Sequence, residues 1–264
     1  MIIIALVLAW FGLCFGSFAG ALVWRIHKGK DWIRDRSRCE HCGHILSALD
    51  LVPFLSWIML RGRCRYCRRK IGVEPLVTEV AGGLIFALSY LLWPNALVHG
   101  QVVLLATWLA CSVGLLALFV YDLKWMILPS NIVYVTAAIA FIGRLTYIVG
   151  YEGDKPKALA LWVLSLGVAS GIFWLLYQIN ENFIGGGDVR LGLITGTLLG
   201  TPINSFMMIF FASVLGTVMM LPAMSAGGKN LRSKLPYGPF LILATAIVLF
   251  YGQGIIDWYT HLTF

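Results

Sequence analysis

Seven stretches of this chain are each long and apolar enough to cross a lipid bilayer: 2–24, 76–93, 102–121, 132–149, 158–177, 203–221 and 239–256. A helix needs about 20 apolar residues to traverse a hydrocarbon core about 30 Å thick. Water cannot solvate seven such surfaces. Only 12% of the 264 residues are charged and 59% are hydrophobic, whereas about a quarter of a soluble domain is charged. Backbone in lipid must satisfy its own hydrogen bonds, which here means helices. The expected fold is an all-α polytopic membrane protein. An eighth run, 189–200, is apolar but short, about 18 Å as a helix.

Charge placement sets the expected topology. Twelve of the twenty Lys and Arg residues fall within 25–75. With that stretch in the cytoplasm and eight crossings, Lys124, Arg190, Lys229, Arg232 and Lys234 fall on the same side. Only Arg144, Lys155 and Lys157 fall opposite, the asymmetry expected when cations resist translocation. Both termini then face away from the cytoplasm. The net charge of +8 is thus accounted for by topology, with no nucleic-acid partner. The first run has no basic residues before it and three after it (Arg25, Lys28, Lys30), so it reads as an uncleaved anchor rather than a secretory signal. Gly12, Gly16 and Gly20 recur every four residues, as do Gly192, Gly196 and Gly200; both sets read as helix-packing seams. The division expected is a first transmembrane helix (1–24), a cytoplasmic loop domain (25–75) and a membrane domain (76–264).

The loop domain carries Cys39-Glu40-His41-Cys42 and Cys64-Arg65-Tyr66-Cys67. Paired CxxC knuckles let four thiolates meet one tetrahedral ion, so zinc is the expected ligand. A disulfide framework is the competing reading, disfavoured in a reducing cytoplasm. His41 and His44 read as bystanders, and Cys14 and Cys111 as small hydrophobes within spans.

Ionisable groups in or beside spans are costly and are functional candidates. Asp122 ends the third run, and Asp188 follows Gly185, Gly186 and Gly187 at the start of the short one. The topology puts both at the cytoplasmic side. Two adjacent carboxylates share one proton; the ionised member can activate water while the protonated one polarises a carbonyl. The glycines would let backbone approach an extended peptide. Alternatively, Asp122 is an interfacial cap paired with Lys124 and Asp188 an N-cap.

The order of these motifs resembles the type IV prepilin peptidases of the GxGD aspartic protease group. Gly16-Ser17-Phe18 with Arg25, the two Cys knuckles, the joining segment from Ala48 to Trp57, Leu128-Pro129 after Asp122, Gly185 to Asp188, and Pro236-Tyr237-Gly238-Pro239-Phe240 each match a family signature. The chain departs at Gly20, Pro75-Leu76, Ser130 and Arg190, where the family commonly has Asn, Tyr-Pro, Asp and Lys. The resemblance implies a membrane-embedded aspartic endopeptidase with Asp122 and Asp188 catalytic. Gly185, Gly186, Gly187 and Arg190 would position the substrate. It also implies cleavage of prepilin or pseudopilin leaders at the cytoplasmic face of a bacterial inner membrane. N-methylation from S-adenosylmethionine would follow, with Cys39, Cys42, Cys64 and Cys67 holding zinc and Glu79 a candidate methyltransferase residue. A leader peptidase without methylation and a small-solute transporter are the alternatives; a transporter would show repeated halves, which the chain lacks. Nothing in the sequence sets an oligomeric state. If the turn after the short run reaches the far interface, Asp188 should lie recessed in a polar notch open to the cytoplasm.

Overall fold

Each apolar run folds as a helix whose ends lie within a few residues of the sequence pattern. The structure, a computed structural model, describes residues 1–31, 34–179, 185–225 and 236–263. Lys229, Arg232, Lys234, Glu181 and Ile184 lie outside them. The helices are α1 (Ile2–His27), the short α2 (Leu55–Met59), α3 (Glu74–Leu91), α4 (His99–Trp125), α5 (Ser130–Tyr151), α6 (Lys155–Leu166), α7 (Ile172–Ile179), α8 (Gly186–Leu199), α9 (Pro202–Ser225) and α10 (Gly238–Thr263). A π-helical turn at Gly167–Gly171 joins α6 to α7. Among the described residues, seven helices are long and apolar enough to span a membrane, α6 and α7 counting as one through that turn. Among the described residues there are no strands, only two isolated bridges. Many large apolar side chains face outward, Val163, Phe206 and Phe210 each more than half exposed, an arrangement suited to lipid and hazardous in water.

The chain forms two compact units. The first comprises residues 1–92 with 112–120, the second residues 93–111 with 121–264. In the first, α1 lies against α3 along its glycine seam: a Cβ on Gly12 would lie 2.9 Å from Gly83 Cα, and one on Gly16 2.9 Å from Glu79 Cα. This close approach is what small residues at spacing four permit. In the second unit, α8 lies against the π turn in the same way, a Cβ on Gly192 falling 3.0 Å from Ser170 Cα. Ser165 donates to Gly196 O at 2.8 Å and Ser170 to Val189 O at 2.9 Å. Both seams are therefore packing seams, except that Gly200 does a different job. It ends α8 in the left-handed conformation at φ 69°, where glycine carries no Cβ penalty.

Candidate active site

Asp122 and Asp188 both belong to the second unit. Asp122 sits in the last turn of α4, 5% exposed. Its carbonyl accepts the N–H of Met126, which ends the helix in the left-handed region. Pro129, extended at φ −62° and ψ 120°, is the N-cap of α5. Asp188 lies in the first turn of α8 and is half-buried. The N-cap is Gly185, not Asp188: the helix begins three residues earlier than the capping pattern implies. Asp188 instead reaches back, and its carboxylate accepts the Gly185 N–H, the return half of a capping box. The two carboxylates lie within electrostatic reach of each other.

A residue outside the predicted set completes the arrangement. Gly238, the first residue of α10, donates its N–H to the Asp122 carboxylate. A Cβ there would stand 2.7 Å from Asp122 Oδ2. Tyr237, next to it, bonds the Ser213 hydroxyl at 3.3 Å and lies within electrostatic reach of Asp188. The Pro236 to Phe240 motif was the available signal, but nothing in its composition points across more than a hundred residues to Asp122. The glycines before Asp188 differ among themselves. Gly187 packs on Leu128, with a Cβ position only 3.0 Å from its Cδ1, whereas a Cβ on Gly185 would meet, among the described residues, only Asp188 Oδ2 at 3.8 Å and the Gly187 backbone nitrogen at 3.9 Å. Arg190 is exposed and points to α5, donating to Ser130 Oγ at 2.8 Å with Tyr134 beneath it.

That bond decides which end of α8 is short. Fourteen residues of helix span about 21 Å, well below a bilayer core. Arg190, near the start of α8, is tied to Ser130, the first residue of α5, so the two helices begin at about the same level. The deficit falls at the other end, where Arg144 of α5 donates Nε to Thr197 O at 3.0 Å and Nη2 to Leu198 O at 3.4 Å. Arg144 still has about 11 Å of α5 beyond it. The turn at Thr201 therefore stops short of the end of α5.

In the first unit the four predicted cysteines come together, their Sγ atoms all within 4.8 Å of one another. Each knuckle has the same backbone plan. Cys39 N–H bonds His44 O at 3.0 Å, and Cys64 N–H bonds Arg69 O at 2.9 Å. Gly43 and Arg68 take left-handed conformations at corresponding positions. Cys39 and Cys67 Sγ are 3.8 Å apart, close to the edge of a zinc–thiolate tetrahedron with bonds of about 2.3 Å. Burial works against the Cys39 thiolate, but N–H groups of Cys42 and His41 outweigh it and bring its pKa down to about 7. Cys67 has an N–H from Arg69 in its favour, yet burial and three neighbouring sulfurs push it up to about 11. Four cysteine sulfurs in one place form a ready cation site, and the donor set suits zinc, whose binding would deprotonate them. Asp50 braces the second knuckle through Arg65 and Tyr66. Burial opposes its charge, but Arg65 at 2.6 Å, with Ser47 and Tyr66, holds its pKa down to about 2.

Glu79 of α3 is buried and accepts two short bonds, from Ser17 Oγ of α1 and from the Phe54 N–H, both at 2.7 Å. Phe54 is held at φ 63°, a conformation costly for an aromatic residue. The Gly16-Ser17-Phe18 signature and Glu79 thus share one contact across 62 residues. Each Glu79 oxygen has a protein donor, and one of them is the loop backbone at Phe54. No βαβ unit for S-adenosylmethionine occurs among the described residues.

Comparison with known proteins finds two family matches along the chain. Residues 10–93 match the bacterial peptidase A24 N-terminal domain, and residues 109–221 the type IV leader peptidase family. A prepilin leader peptidase/N-methyltransferase of Bacillus subtilis is 27% identical over 94% of the chain and 95% of its own length. One of Aeromonas hydrophila is 30% identical over 85% of the chain and 74% of its own length. One of Burkholderia pseudomallei is 32% identical, over 82% and 67%. No solved structure matches.

Proposed function

Because the chain belongs to the prepilin leader peptidase/N-methyltransferase family, we propose that it cleaves the leader of type IV prepilins or pseudopilins with Asp122 and Asp188 and then methylates the new N-terminus. The observation that carries the catalytic assignment is the convergence of the two carboxylates in one unit, one held by the Gly238 N–H and the other by the Gly185 N–H. One proton shared between them leaves one carboxylate to take a proton from water and the other to donate to the scissile carbonyl oxygen. The attacking water adds to the carbonyl carbon, and the leaving amine takes the proton as the C–N bond breaks. The substrate's extended segment would lie along Gly185 to Gly187, and Arg190 acts indirectly by fixing the start of α8 on α5.

Cys39, Cys42, Cys64 and Cys67 would hold zinc as a structural site, supplying folding energy to a loop with little apolar core of its own. S-adenosylmethionine supplies the methyl group. Residues 25–75 are assigned to that half-reaction, with Glu79 keeping Phe54 in place, and residues 76–264 to the peptidase. The protein is a multi-pass protein of the bacterial inner membrane; the charge asymmetry supports carboxylates on the cytoplasmic side and both termini in the periplasm. Asp122→Asn and Asp188→Asn test the reading. Each should abolish leader cleavage in membranes while the protein stays inserted, and the double variant should be no worse than either single, since the pair acts as a unit. Substantial cleavage by either variant would contradict it.

A further inference from the structure

In the first unit, the loop between α1 and α3 is tied down at a depth that its sequence does not suggest. α3 is 18 residues long, about 27 Å as a helix, so all of it is needed to cross a core of about 30 Å. Glu79 lies five residues inside its start, about 7.5 Å in from that end. The level agrees with α1, on which Ser17, ten residues before the end at His27, donates to the same carboxylate. The other Glu79 oxygen accepts the Phe54 N–H at 2.7 Å. Phe54 is the N-cap of α2, so α2 begins at the level of lipid rather than out in water. It is held low at a second point, where Trp57 Nε1 donates to Gly72 O at 3.3 Å, two residues before α3 begins.

At that level α2 turns apolar residues outward. Met59 is 82% exposed, and Leu55 and Ile58 are each about half exposed; their spacing puts the three on one face. Trp57, between them, packs instead on Gly62, where a Cβ would lie 2.9 Å from its ring. Leu49 and Leu51, just before α2, are exposed as well. Single exposed apolar side chains are ordinary, but a run this dense is an interaction surface. Cations rim it. Arg61 and Arg63 follow α2 directly, their N–H groups on Ile58 O and Leu60 O, and both are exposed. The backbone bridge between Arg63 and Lys70 brings a third exposed cation alongside. Resistance to translocation accounts for cations in this loop, but not for apolar residues turned outward among them.

We propose that residues 48–59 rest in the surface of the protein's own bilayer, with Leu55, Ile58 and Met59 among acyl chains and Arg61, Arg63 and Lys70 on the anionic phosphates of lipid head groups. An apolar face edged by cations is the composition of a segment lying in the plane of an anionic membrane, and each cation adds to the attraction. The bond between Glu79 and Phe54 then pins an interfacial anchor to a spanning helix. The second cysteine knuckle, which starts at Cys64, hangs directly from that anchor. This reading stands apart from the proposed carboxylate chemistry and from methylation.

The test uses the full chain in lipid nanodiscs, where both faces meet solvent. It carries Met59→Cys or, as a reference at an exposed polar position, Arg36→Cys. Met59 is too exposed for the fold to depend on it, and Ile58→Cys is a second probe of the same face. Reaction with a bulky, uncharged polyethylene-glycol maleimide is followed by mass spectrometry of the peptide carrying the new residue, so the native cysteines do not contribute. In discs of equal parts dioleoylphosphatidylglycerol and dioleoylphosphatidylcholine, residue 59 should react about tenfold more slowly than residue 36. N-ethylmaleimide, which enters lipid, should narrow that gap. Arg63→Gln in the Met59→Cys chain should speed the bulky reagent about fivefold in these discs and leave its rate unchanged in dioleoylphosphatidylcholine alone. Equal rates at residues 59 and 36, the same gap with N-ethylmaleimide, or no response to Arg63→Gln in the anionic discs would overturn the proposal. Protection of residue 59 in native membranes but not in discs would also overturn it, assigning the face to another protein.

Discussion

Gly238→Ala separates the cost of folding from the cost of catalysis. The added methyl carbon would lie 2.7 Å from Asp122 Oδ2 and 3.5 Å from Leu191 Cδ2. Ordinary carbon–oxygen contact is about 3.4 Å, so roughly 0.7 Å of relief is needed, and tight contacts of this kind cost about 1–3 kcal/mol when the neighbours are rigid. Here the clashing atom is the end of a side chain, and rotation of the Asp122 carboxyl relieves most of the overlap. Stability should therefore fall by about 1 kcal/mol or less. The oxygen that moves, however, is the proposed catalytic one, and a displacement approaching 1 Å can cost about a hundredfold in rate. Gly254→Ala is the control on the same helix, because nothing lies within 4 Å of its Cβ position and alanine is the better helix former by about 1 kcal/mol. Rates of leader cleavage in detergent-solubilised membranes, read beside unfolding temperature, should show Gly238→Ala close to wild type in stability and down by about two orders of magnitude in rate. Gly254→Ala should match the wild type in rate. Wild-type cleavage by Gly238→Ala would refute the placement of Asp122 at the reacting centre.

Other outcomes follow from the first unit. Purified protein should carry about one zinc per chain by elemental analysis, lost on Cys39→Ser or Cys64→Ser because an incomplete shell binds weakly; a Cys39–Cys42 disulfide in the native protein would exclude the site. Asp50 has its pKa lowered to about 2, so its contribution is complete above the unfolded value near 4 and is lost as pH falls towards 2. Arg65 is half exposed, which limits that contribution to about 1 kcal/mol or less. Asp50→Asn should accordingly speed proteolysis of the loop at pH 7, with the difference from wild type narrowing below about pH 4. Glu79→Gln replaces two acceptor oxygens with one, leaving the Ser17 hydroxyl or the Phe54 N–H unpaired at about 1–3 kcal/mol; methylation of the processed product should fall more than cleavage, measured on the same substrate.

Much of the architecture was legible because lipid imposes a length on helices. The apolar runs mark the spans to within a few residues, and the two glycine seams and the four-cysteine cluster follow from spacing alone. Single-residue geometry was less accessible. Asp188 has the composition of an N-cap, but Gly185 takes that position and turns Asp188 into an acceptor for the backbone behind it. The left-handed Phe54 was hidden, since no aromatic residue advertises that conformation, and it depends on a bond from a helix 25 residues away. Arg144 was readable as a lone cation inside a span. Its carbonyl partners at Thr197 and Leu198, and hence which end of α8 falls short, required the packing of α5 on α8.

Intact-mass analysis of one prepilin-like substrate, co-expressed with the wild type or with Asp188→Asn, tests the central claim most directly. With the wild type, the substrate should lose its leader and gain the mass of one methyl group at the new N-terminus; with Asp188→Asn it should keep the full leader and remain unmethylated. A full-length, unmodified substrate beside correctly inserted wild-type protein, or a processed substrate beside the variant, would contradict it.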